Sequence, residues 1–261
     1  MDFERRFELI SRKVDEVVTE EELEDLLNEK EKPVAYIGDA PTGKMHTGHF
    51  ITHRKISDFL RAGFKFKVLL ADIHAHLDDL KSPFELLEAR SEYYEECIKG
   101  MMEATGVDWT DLEFVKGSSF ELDREYMLDV LKMAADTTLN RTQRAAAEVV
   151  RYGDNPKLGG FIYPLLQTED VAALEADVAY GGVDQRGIYM LSRKILPKFG
   201  YKKPICVFAP LLTGLTGGKM SASEKGSKID LLDDEDTIKE KMKEAYCPAG
   251  EKENNGVLEH L

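Results

Sequence analysis

The chain has 261 residues, 43% of them hydrophobic, and a formal net charge of −14 from 35 Lys and Arg against 49 Asp and Glu. This length and composition predict a globular protein with one large domain and a small appendage. The acidic balance excludes a general DNA or RNA binder, because such proteins are usually basic overall, so any RNA contact must be local.

The N-terminus opens into a charged amphipathic pattern, and Thr19 with Glu22 forms a capping box for a helix. Five apolar runs follow and alternate with helical patterns, which is typical of a parallel α/β sheet covered by helices. The helix after the second run begins at Pro83 and ends at Gly106. The predicted strands cover residues 34–38, 66–73, 112–115, 177–180 and 205–209.

Two segments fall outside this alternation. Residues 123–177 are helical over a length that exceeds a simple crossover, so we expect a helical insertion between two halves of the sheet. Residues 233–245 predict a charged helix close to the end of the chain. The fold prediction is therefore a five-stranded parallel sheet with a helical insertion and a short helical C-terminal extension.

Export and membrane insertion are not indicated, because no apolar run has the length of a signal or membrane segment. Cys97, Cys206 and Cys247 lack the spacing of a disulfide framework or a zinc site. We therefore expect a cytoplasmic protein with no membrane partner.

The first candidate motif is His46-Thr47-Gly48-His49, at the start of a predicted helix. Imidazole N–H groups and the unpaired backbone N–H groups of a first helical turn can converge there on an anion such as phosphate. Residues 38–45 also match the start of a P-loop, GxxxxGK, but Met45 stands where a Mg²⁺-binding hydroxyl is needed. A P-loop NTPase remains an alternative.

Five of the six histidines lie between His46 and His76, which raises the alternative of a metal site. His49 and His53 have helical spacing, whereas His74 and His76 are predicted at a strand end, on opposite faces. We assign no metal, and we interpret His53 and His76 as structural.

The second candidate motif is Lys219-Met220-Ser221-Ala222-Ser223, which follows a glycine-rich loop. Lys219 and the hydroxyl groups of Ser221 and Ser223 can be brought onto a triphosphate as charge develops on the leaving pyrophosphate. Alone, this composition is common in surface loops.

Together the two motifs resemble the ATP-binding signatures of class I aminoacyl-tRNA synthetases. Residues 35–38, 70–75, 162–164, 181–186 and 219–232 extend the resemblance to tyrosyl-tRNA synthetases of the archaeal and eukaryotic type. The resemblance implies a Rossmann-like, doubly wound sheet with ATP at its topological switch point. It also implies formation of tyrosyl-adenylate and transfer of the tyrosyl group to tRNA(Tyr), without a covalent enzyme nucleophile.

By the same resemblance, catalysis would rest on His46, His49, Lys219, Ser221 and Ser223. ATP would be bound by Gly48, Gly182 and Asp184 together with His46, His49 and Lys219. In the tyrosine pocket, Tyr36 and Asp170 would bind the phenolic hydroxyl, and an unpaired phenol and carboxylate would disfavour phenylalanine. Tyr163, Gln167 and Gln185 would bind the α-amino group, with Gly38, Asp72 and His74 as further pocket residues.

The implied substrates are ATP with Mg²⁺, L-tyrosine and tRNA(Tyr), with no tightly bound cofactor. Residues 1–228 would form the catalytic domain, with a dimer-forming insertion at 123–177, and residues 229–261 a linker and the start of a truncated anticodon-binding domain. The sequence departs from the family pattern at Thr47, Glu121 and Ala222. A tryptophanyl-tRNA synthetase and a non-catalytic paralogue acting as a binding module remain alternatives.

Overall fold

One mixed sheet forms the centre of the computed structural model, which describes residues 1–78, 82–218, 225–251 and 255–260. In these ranges the sheet has six strands in the order β1-β6-β5-β2-β3-β4. Strands β2 to β6 pair in parallel, and β1 is antiparallel to β6. The strands are β1 (Glu16–Val18), β2 (Val34–Asp39), β3 (Lys65–Leu70), β4 (Leu112–Lys116), β5 (Val178–Gly182) and β6 (Ile205–Ala209).

The five predicted strands are all present, but the predicted strand count is wrong because β1 adds a sixth. This strand has three residues, all partly exposed, so it is too short to show a hydrophobic period. The predicted strand over 66–73 is too long, because the chain turns into a helix at Asp72. His74 and His76 therefore lie on that helix, and the prediction that they sit on opposite faces of a strand end is wrong.

Helices cover both faces of the sheet. The helices that precede β4 in the chain are α1 (Phe3–Ser11), α2 (Glu20–Glu29), α3 (Thr47–Arg61), α4 (Asp72–Leu77) and α5 (Leu87–Thr105). The predicted insertion folds as α6 (Arg124–Asp136), α7 (Leu139–Ala145) and α8 (Gly159–Ala173). The later helices are α9 (Arg186–Ile195), α10 (Glu235–Glu244) and α11 (Gly256–His260).

The caps agree with the sequence signals. Thr19 Oγ1 accepts a hydrogen bond from the Glu22 backbone N–H at 3.2 Å and so opens α2. Gly106 closes α5 with a positive φ of 63°. The charged helix predicted over 233–245 is α10.

Alternation along each strand assigns its side chains to two cores, one on each face. In β2, Ala35 and Ile37 pack with α1, α2, α3 and α5, whereas Tyr36 points to the opposite face. There Tyr36 packs among residues of α6, α8 and α9. The helical insertion therefore covers the face onto which Tyr36 points.

A close contact joins the insertion to α9. A Cβ added at Gly187 in α9 would lie 2.2 Å from the carbonyl oxygen of Ala145, the last residue of α7. We expect Gly187→Ala to lower the free energy of unfolding by about 1–3 kcal/mol, because backbone must move to admit the methyl group. Urea denaturation checks this value.

Gly100→Ala in α5 is the matched control. No described atom lies within 4 Å of a Cβ added at Gly100. Alanine is favoured over glycine inside a helix, so this variant should be about 0.5–1 kcal/mol more stable than the parent. An equal effect of the two substitutions would contradict the packing argument.

The segment that begins at Lys225 returns to the start of α3. The Thr47 backbone N–H donates to Ile229 O at 2.9 Å, and the Leu231 N–H donates to Met45 O at 3.0 Å. These two bonds flank an antiparallel bridge between His46 and Asp230. The division of the chain at residue 228 stays a prediction, and the backbone around residue 230 is paired with the first motif.

A search of the described residues finds no helix long and apolar enough to cross a membrane.

Candidate active site

A cavity of about 430 Å³ lies at the carboxyl ends of β2 and β5. The chain runs from β2 to β3 and β4 on one side, and from β5 to β6 on the other, so β2 and β5 flank the topological switch point of the sheet. Open α/β sheets bind their ligands in the crevice at this point. Gly38, Leu69 and Gly182, at the ends of three neighbouring strands, line the cavity.

The first motif forms the start of α3, with His46 as its N-cap. The His46 backbone N–H donates to His49 Nδ1 at 3.1 Å, and the two rings lie 4.0 Å apart. Because Nδ1 accepts this bond, the neutral His49 ring carries its proton on Nε2. Both residues line the cavity. They therefore present N–H groups beside a helix N-terminus, where an anion is favoured.

His49 is neutral at physiological pH, because burial lowers its pKa to about 4. The His49 ring therefore offers a hydrogen-bond donor without a full charge. Below it, His53 contacts Asp39 through Nε2 at 2.8 Å and the His49 carbonyl oxygen through Nδ1 at 2.7 Å. Burial alone would lower the pKa of His53, but Asp39 raises it above its usual value. The two contacts of His53 therefore connect the first turn of α3 to the end of β2.

The P-loop interpretation loses its support in the structure. Lys44 is exposed and does not line the cavity, while Met45 is buried in the core. His76 also lies outside the cavity, with Nδ1 3.0 Å from Ser82 O and its ring against Phe84.

The inner end of the cavity holds a buried phenol and a buried carboxylate. Tyr36 and Asp170 are 0% and 1% exposed. Asp170 Oδ1 accepts a hydrogen bond from Tyr126 Oη at 2.7 Å, but Asp170 Oδ2 has no hydrogen-bond partner among the described residues. Tyr36 Oη likewise makes no well-aligned hydrogen bond there, although the neighbouring Tyr189 adds to burial in raising the pKa of Tyr36. Unpaired buried polar groups are costly, so this end of the cavity is suited to a polar group of a ligand.

Next to this end, His74 of α4 lies between two carboxylates. His74 Nδ1 is 3.4 Å from Glu121 Oε1, and His74 Nε2 is 3.5 Å from Asp170 Oδ2. Burial alone would lower the pKa of His74, but Glu121 and Asp170 raise it to about 9. One donor atom from each residue lies within 4.8 Å of the others. The two ring nitrogens face different carboxylates, so the geometry fits a shared proton better than a shared cation.

A chain of amides lines another wall. Gln167 Nε2 donates to Gln185 Oε1 at 3.1 Å, and Gln185 Nε2 donates to Asp184 Oδ2 at 3.2 Å. Gln167 Oε1 has no partner in the described part of the chain. Tyr163 stands between this wall and His74, with the two rings perpendicular and 4.7 Å apart. Oxygen acceptors at this wall can receive the N–H groups of an ammonium.

Most residues selected from the sequence line this one cavity: Tyr36, Gly38, His46, Gly48, His49, His74, Tyr163, Gln167, Asp170, Gly182, Asp184 and Gln185. Asp72 does not, because its Oδ1 accepts hydrogen bonds from the Ser118 and Ile73 backbone N–H groups at 2.8 and 2.9 Å. Lys219, Ser221 and Ser223 lie outside the described residues. Their predicted roles stay predictions.

Several residues of the cavity region were missed in the sequence. Asp39 had a detectable signal, since it is an acidic residue at the end of an apolar strand. Tyr94 and Tyr180 line the cavity, and Tyr126 donates a hydrogen bond to Asp170. These residues gave no signal in the sequence, because an aromatic residue within an apolar pattern is equally typical of the hydrophobic core.

Comparisons with known proteins agree with this geometry. The family model described as class I tRNA synthetases (W and Y) matches residues 28–260. A tyrosine–tRNA ligase of Haloarcula marismortui is 63% identical over 261 residues, which are 100% of this chain and 75% of the relative. The solved structure of a tyrosyl-tRNA synthetase complexed with L-tyrosine from Archaeoglobus fulgidus has a TM-score of 0.92 and 46% identity. That similarity covers 98% of this chain and 78% of that chain.

Proposed function

The chain belongs to the class I tRNA synthetase family that contains the tryptophan and tyrosine enzymes, and from this membership we infer that it is a tyrosine–tRNA ligase. The observation that carries the choice of amino acid is the pair of buried atoms Tyr36 Oη and Asp170 Oδ2, neither of which makes a well-aligned hydrogen bond within the described residues. A phenolic hydroxyl can donate to the carboxylate and accept from Tyr36 at once. An indole N–H can only donate, so tryptophan could not accept a hydrogen bond from Tyr36, and this alternative is not favoured.

The reaction has two steps. The carboxylate oxygen of tyrosine attacks the α-phosphorus of ATP, supplied as the Mg²⁺ complex, and the bond to the leaving pyrophosphate breaks. A terminal ribose hydroxyl of tRNA(Tyr) then attacks the carbonyl carbon of tyrosyl-adenylate, and AMP leaves with the bonding electron pair. Neither step needs a nucleophile from the protein, so catalysis consists of positioning and charge stabilisation.

The tyrosine side of the site has two ends. Tyr36 and Asp170 bind the phenolic hydroxyl at the buried end, and Tyr163, Gln167 and Gln185 bind the α-amino group at the wall of amides. Gly38, Asp72 and His74 complete our assignment. Gly38 and His74 line the pocket, whereas Asp72 acts from behind it by holding the backbone at Ser118.

The ATP side rests on the first motif. His46 and His49 receive the phosphates together with the backbone at the start of α3, while Gly48, Gly182 and Asp184 shape the space for the nucleotide. The second motif, Lys219 with Ser221 and Ser223, is assigned to the pyrophosphate. We further place the enzyme in the cytoplasm, with residues 1–228 as the catalytic domain and 229–261 as a linker and the start of an anticodon-binding domain.

Amino-acid-dependent ATP–pyrophosphate exchange tests the function. Purified protein should exchange label with tyrosine and show little exchange with tryptophan or phenylalanine. Exchange with tryptophan instead would overturn the amino-acid assignment. No exchange with any of the three, in protein with a cooperative unfolding transition, would favour a non-catalytic paralogue. ATP hydrolysis independent of amino acid and abolished by Lys44→Ala would favour a P-loop NTPase.

The insertion predicts a homodimer. Its described residues expose several large apolar side chains that a second subunit could cover: Leu128, Leu131, Leu139 and Leu158, with Leu122 just before it. Light scattering should give about twice the chain mass of 29.5 kDa at micromolar concentration.

Charged substitutions test where the dimer forms. Leu131→Glu combined with Leu139→Glu should shift the mass to that of one chain, because two charges would be buried without partners. Phe84→Glu, at an exposed phenylalanine outside the insertion, is the control and should leave the dimer intact. A single-chain mass for the parent protein would contradict the proposal.

A further inference from the structure

The buried end of the tyrosine pocket contains more charge than recognition of a phenol needs. Glu121 is 0% exposed, and neither of its carboxylate oxygens has a hydrogen-bond partner among the residues that the structure describes. Its backbone N–H donates to Gly117 O at 2.8 Å, so the chain folds back on itself there. A Cβ at Gly117 would lie 2.2 Å from Glu121 Oε1. The backbone thus leaves room for this carboxylate beside His74.

His74 has the geometry of a bridge between the two acids. Each ring nitrogen faces one carboxylate, at 3.4 Å for Glu121 and 3.5 Å for Asp170. A neutral imidazole has a single N–H, so one acid would then face a lone pair. An imidazolium carries a proton on both nitrogens, and the two contacts, which are ion pairs rather than well-aligned hydrogen bonds, suit that form. A metal ion would use only one ring nitrogen and leave the other carboxylate unmatched.

We propose that His74 is an imidazolium held between Glu121 and Asp170, and that its charge keeps Asp170 ionised as the acceptor for the phenolic hydroxyl of tyrosine. His74 and Glu121 are then positioning residues that act through Asp170. This inference rests on the proposed function, because the ligand of Asp170 is taken to be tyrosine.

The charges around Asp170 act in opposite directions. Burial and Glu121, with a smaller effect of Glu169, leave the pKa of Asp170 well above its usual range, and His74 and Tyr126 lower it and so offset part of this rise. Among the described groups with the largest effects on Asp170, His74 is the one that can carry a positive charge. Without the imidazolium, the buried Asp170 would take up a proton, and a neutral acid is a weaker acceptor than a carboxylate.

The groups that face His74 come from several elements. Asp72 lies on its own helix, Glu121 follows β4, and Asp170 and Tyr163 project from α8. Tyr126 of α6 reaches the cluster through its hydrogen bond to Asp170. Three carboxylates in this set, those of Asp72, Glu121 and Asp170, raise the pKa of His74 and so favour the protonated imidazole.

The first test measures the KM for tyrosine between pH 5 and 9 at saturating ATP. On the acid side the KM should rise as Asp170 is protonated. His74→Gln removes the positive charge and should move this rise to higher pH by about 1 unit or more. Glu121→Gln removes a negative charge while His74 stays protonated, and should move the rise to lower pH. Loss of packing alone would not shift the two profiles in opposite directions.

Glu169→Gln gives a graded comparison. Glu169 is a buried carboxylate next to Asp170 on α8 that does not line the cavity, and burial raises its pKa to about 7. Because Glu169 raises the pKa of Asp170 less than Glu121 does, its replacement should move the rise in KM to lower pH by less than Glu121→Gln does. Profiles that move together for His74→Gln and Glu121→Gln, or do not move, would overturn the proposal.

The second test needs no tyrosine. The ¹⁵N chemical shifts of the His74 ring in the parent protein should report protons on both nitrogens at pH 7, with deprotonation near pH 9. In Glu121→Gln, deprotonation should occur at lower pH. A single-proton tautomer of His74 at pH 7 would overturn the proposal even if tyrosine-dependent exchange is normal. Doubly protonated His74 without such exchange would count against the proposed function alone.

Discussion

Asp170→Asn should lower the selectivity for tyrosine over phenylalanine, as a ratio of kcat/KM, by about 10- to 150-fold, which corresponds to about 1.5–3 kcal/mol. The substitution keeps the shape of the side chain and removes the charge that receives the phenolic O–H. Sites that bind a substrate hydroxyl reject the analogue that lacks it by about 10⁴–10⁵, and tyrosyl-tRNA synthetases are the standard example. The variant should therefore remain selective, with a smaller ratio.

The effect should fall mainly on tyrosine. Phenylalanine makes no bond to Asp170, so its kcat/KM should change little, while the value for tyrosine drops. Tyr126→Phe gives a graded comparison, because it removes one donor to Asp170 Oδ1 and leaves the charge. Its selectivity should lie between those of the parent and Asp170→Asn. Pyrophosphate exchange with each amino acid measures these ratios. Unchanged selectivity in Asp170→Asn would show that the phenol binds elsewhere.

His49→Ala should lower kcat for tyrosine activation by about 10²–10³, the usual loss when one donor to a developing charge is removed. The His49 ring is positioned by the His46 backbone N–H and donates from Nε2. The KM for tyrosine should change little, because His49 lies in the first turn of α3, on the side of the cavity that we assign to ATP. Pyrophosphate exchange at saturating ATP measures both constants.

The pH dependence separates hydrogen bonding from charge at this position. Since burial lowers the pKa of His49 to about 4, this residue stays neutral and should add no titration to kcat between pH 5 and 8. His76→Gln is the control, because His76 lies outside the cavity, and its kcat should match the parent value. A loss in His76→Gln equal to that in His49→Ala would contradict the assignment.

Much of the sheet could be predicted from the sequence because β5 and β6 are buried on both faces and β2 and β3 are largely buried, while β4 is partly exposed but long enough to show its apolar residues. Such strands appear as continuous apolar runs, for example 205–209, and all five were found. Strand β1 could not be found this way, since three partly exposed residues depend on pairing with β6 for their conformation. The end of β3 was predicted too late in the sequence, because the apolar run continues into α4. That helix is too short to show a helical spacing of its apolar residues.

The residues of the candidate site also differ in how far they could be predicted from the sequence. His46, His49 and Gly48 are adjacent in the sequence, so their spacing alone pointed to an anion. The cluster of His74, Glu121 and Asp170 joins three distant segments, and no periodicity brings them together. Only the resemblance to a family placed His74 and Asp170 in one pocket. The contact with Glu121 required the three-dimensional structure, because the backbone at Gly117 determines where that carboxylate lies.

The bridge between His46 and Asp230 has a mechanical consequence. The backbone on either side of it is held by Thr47 N–H to Ile229 O and Leu231 N–H to Met45 O. Displacement of residues 229–231 must therefore either drag the N-terminus of α3 or break both of these bonds. The His49 ring accepts a hydrogen bond from the His46 backbone N–H. A displacement of the backbone just beyond the second motif would therefore be transmitted through the bridge at His46 to the His49 imidazole. The segment around residue 230 and the first motif are thereby mechanically coupled through the backbone.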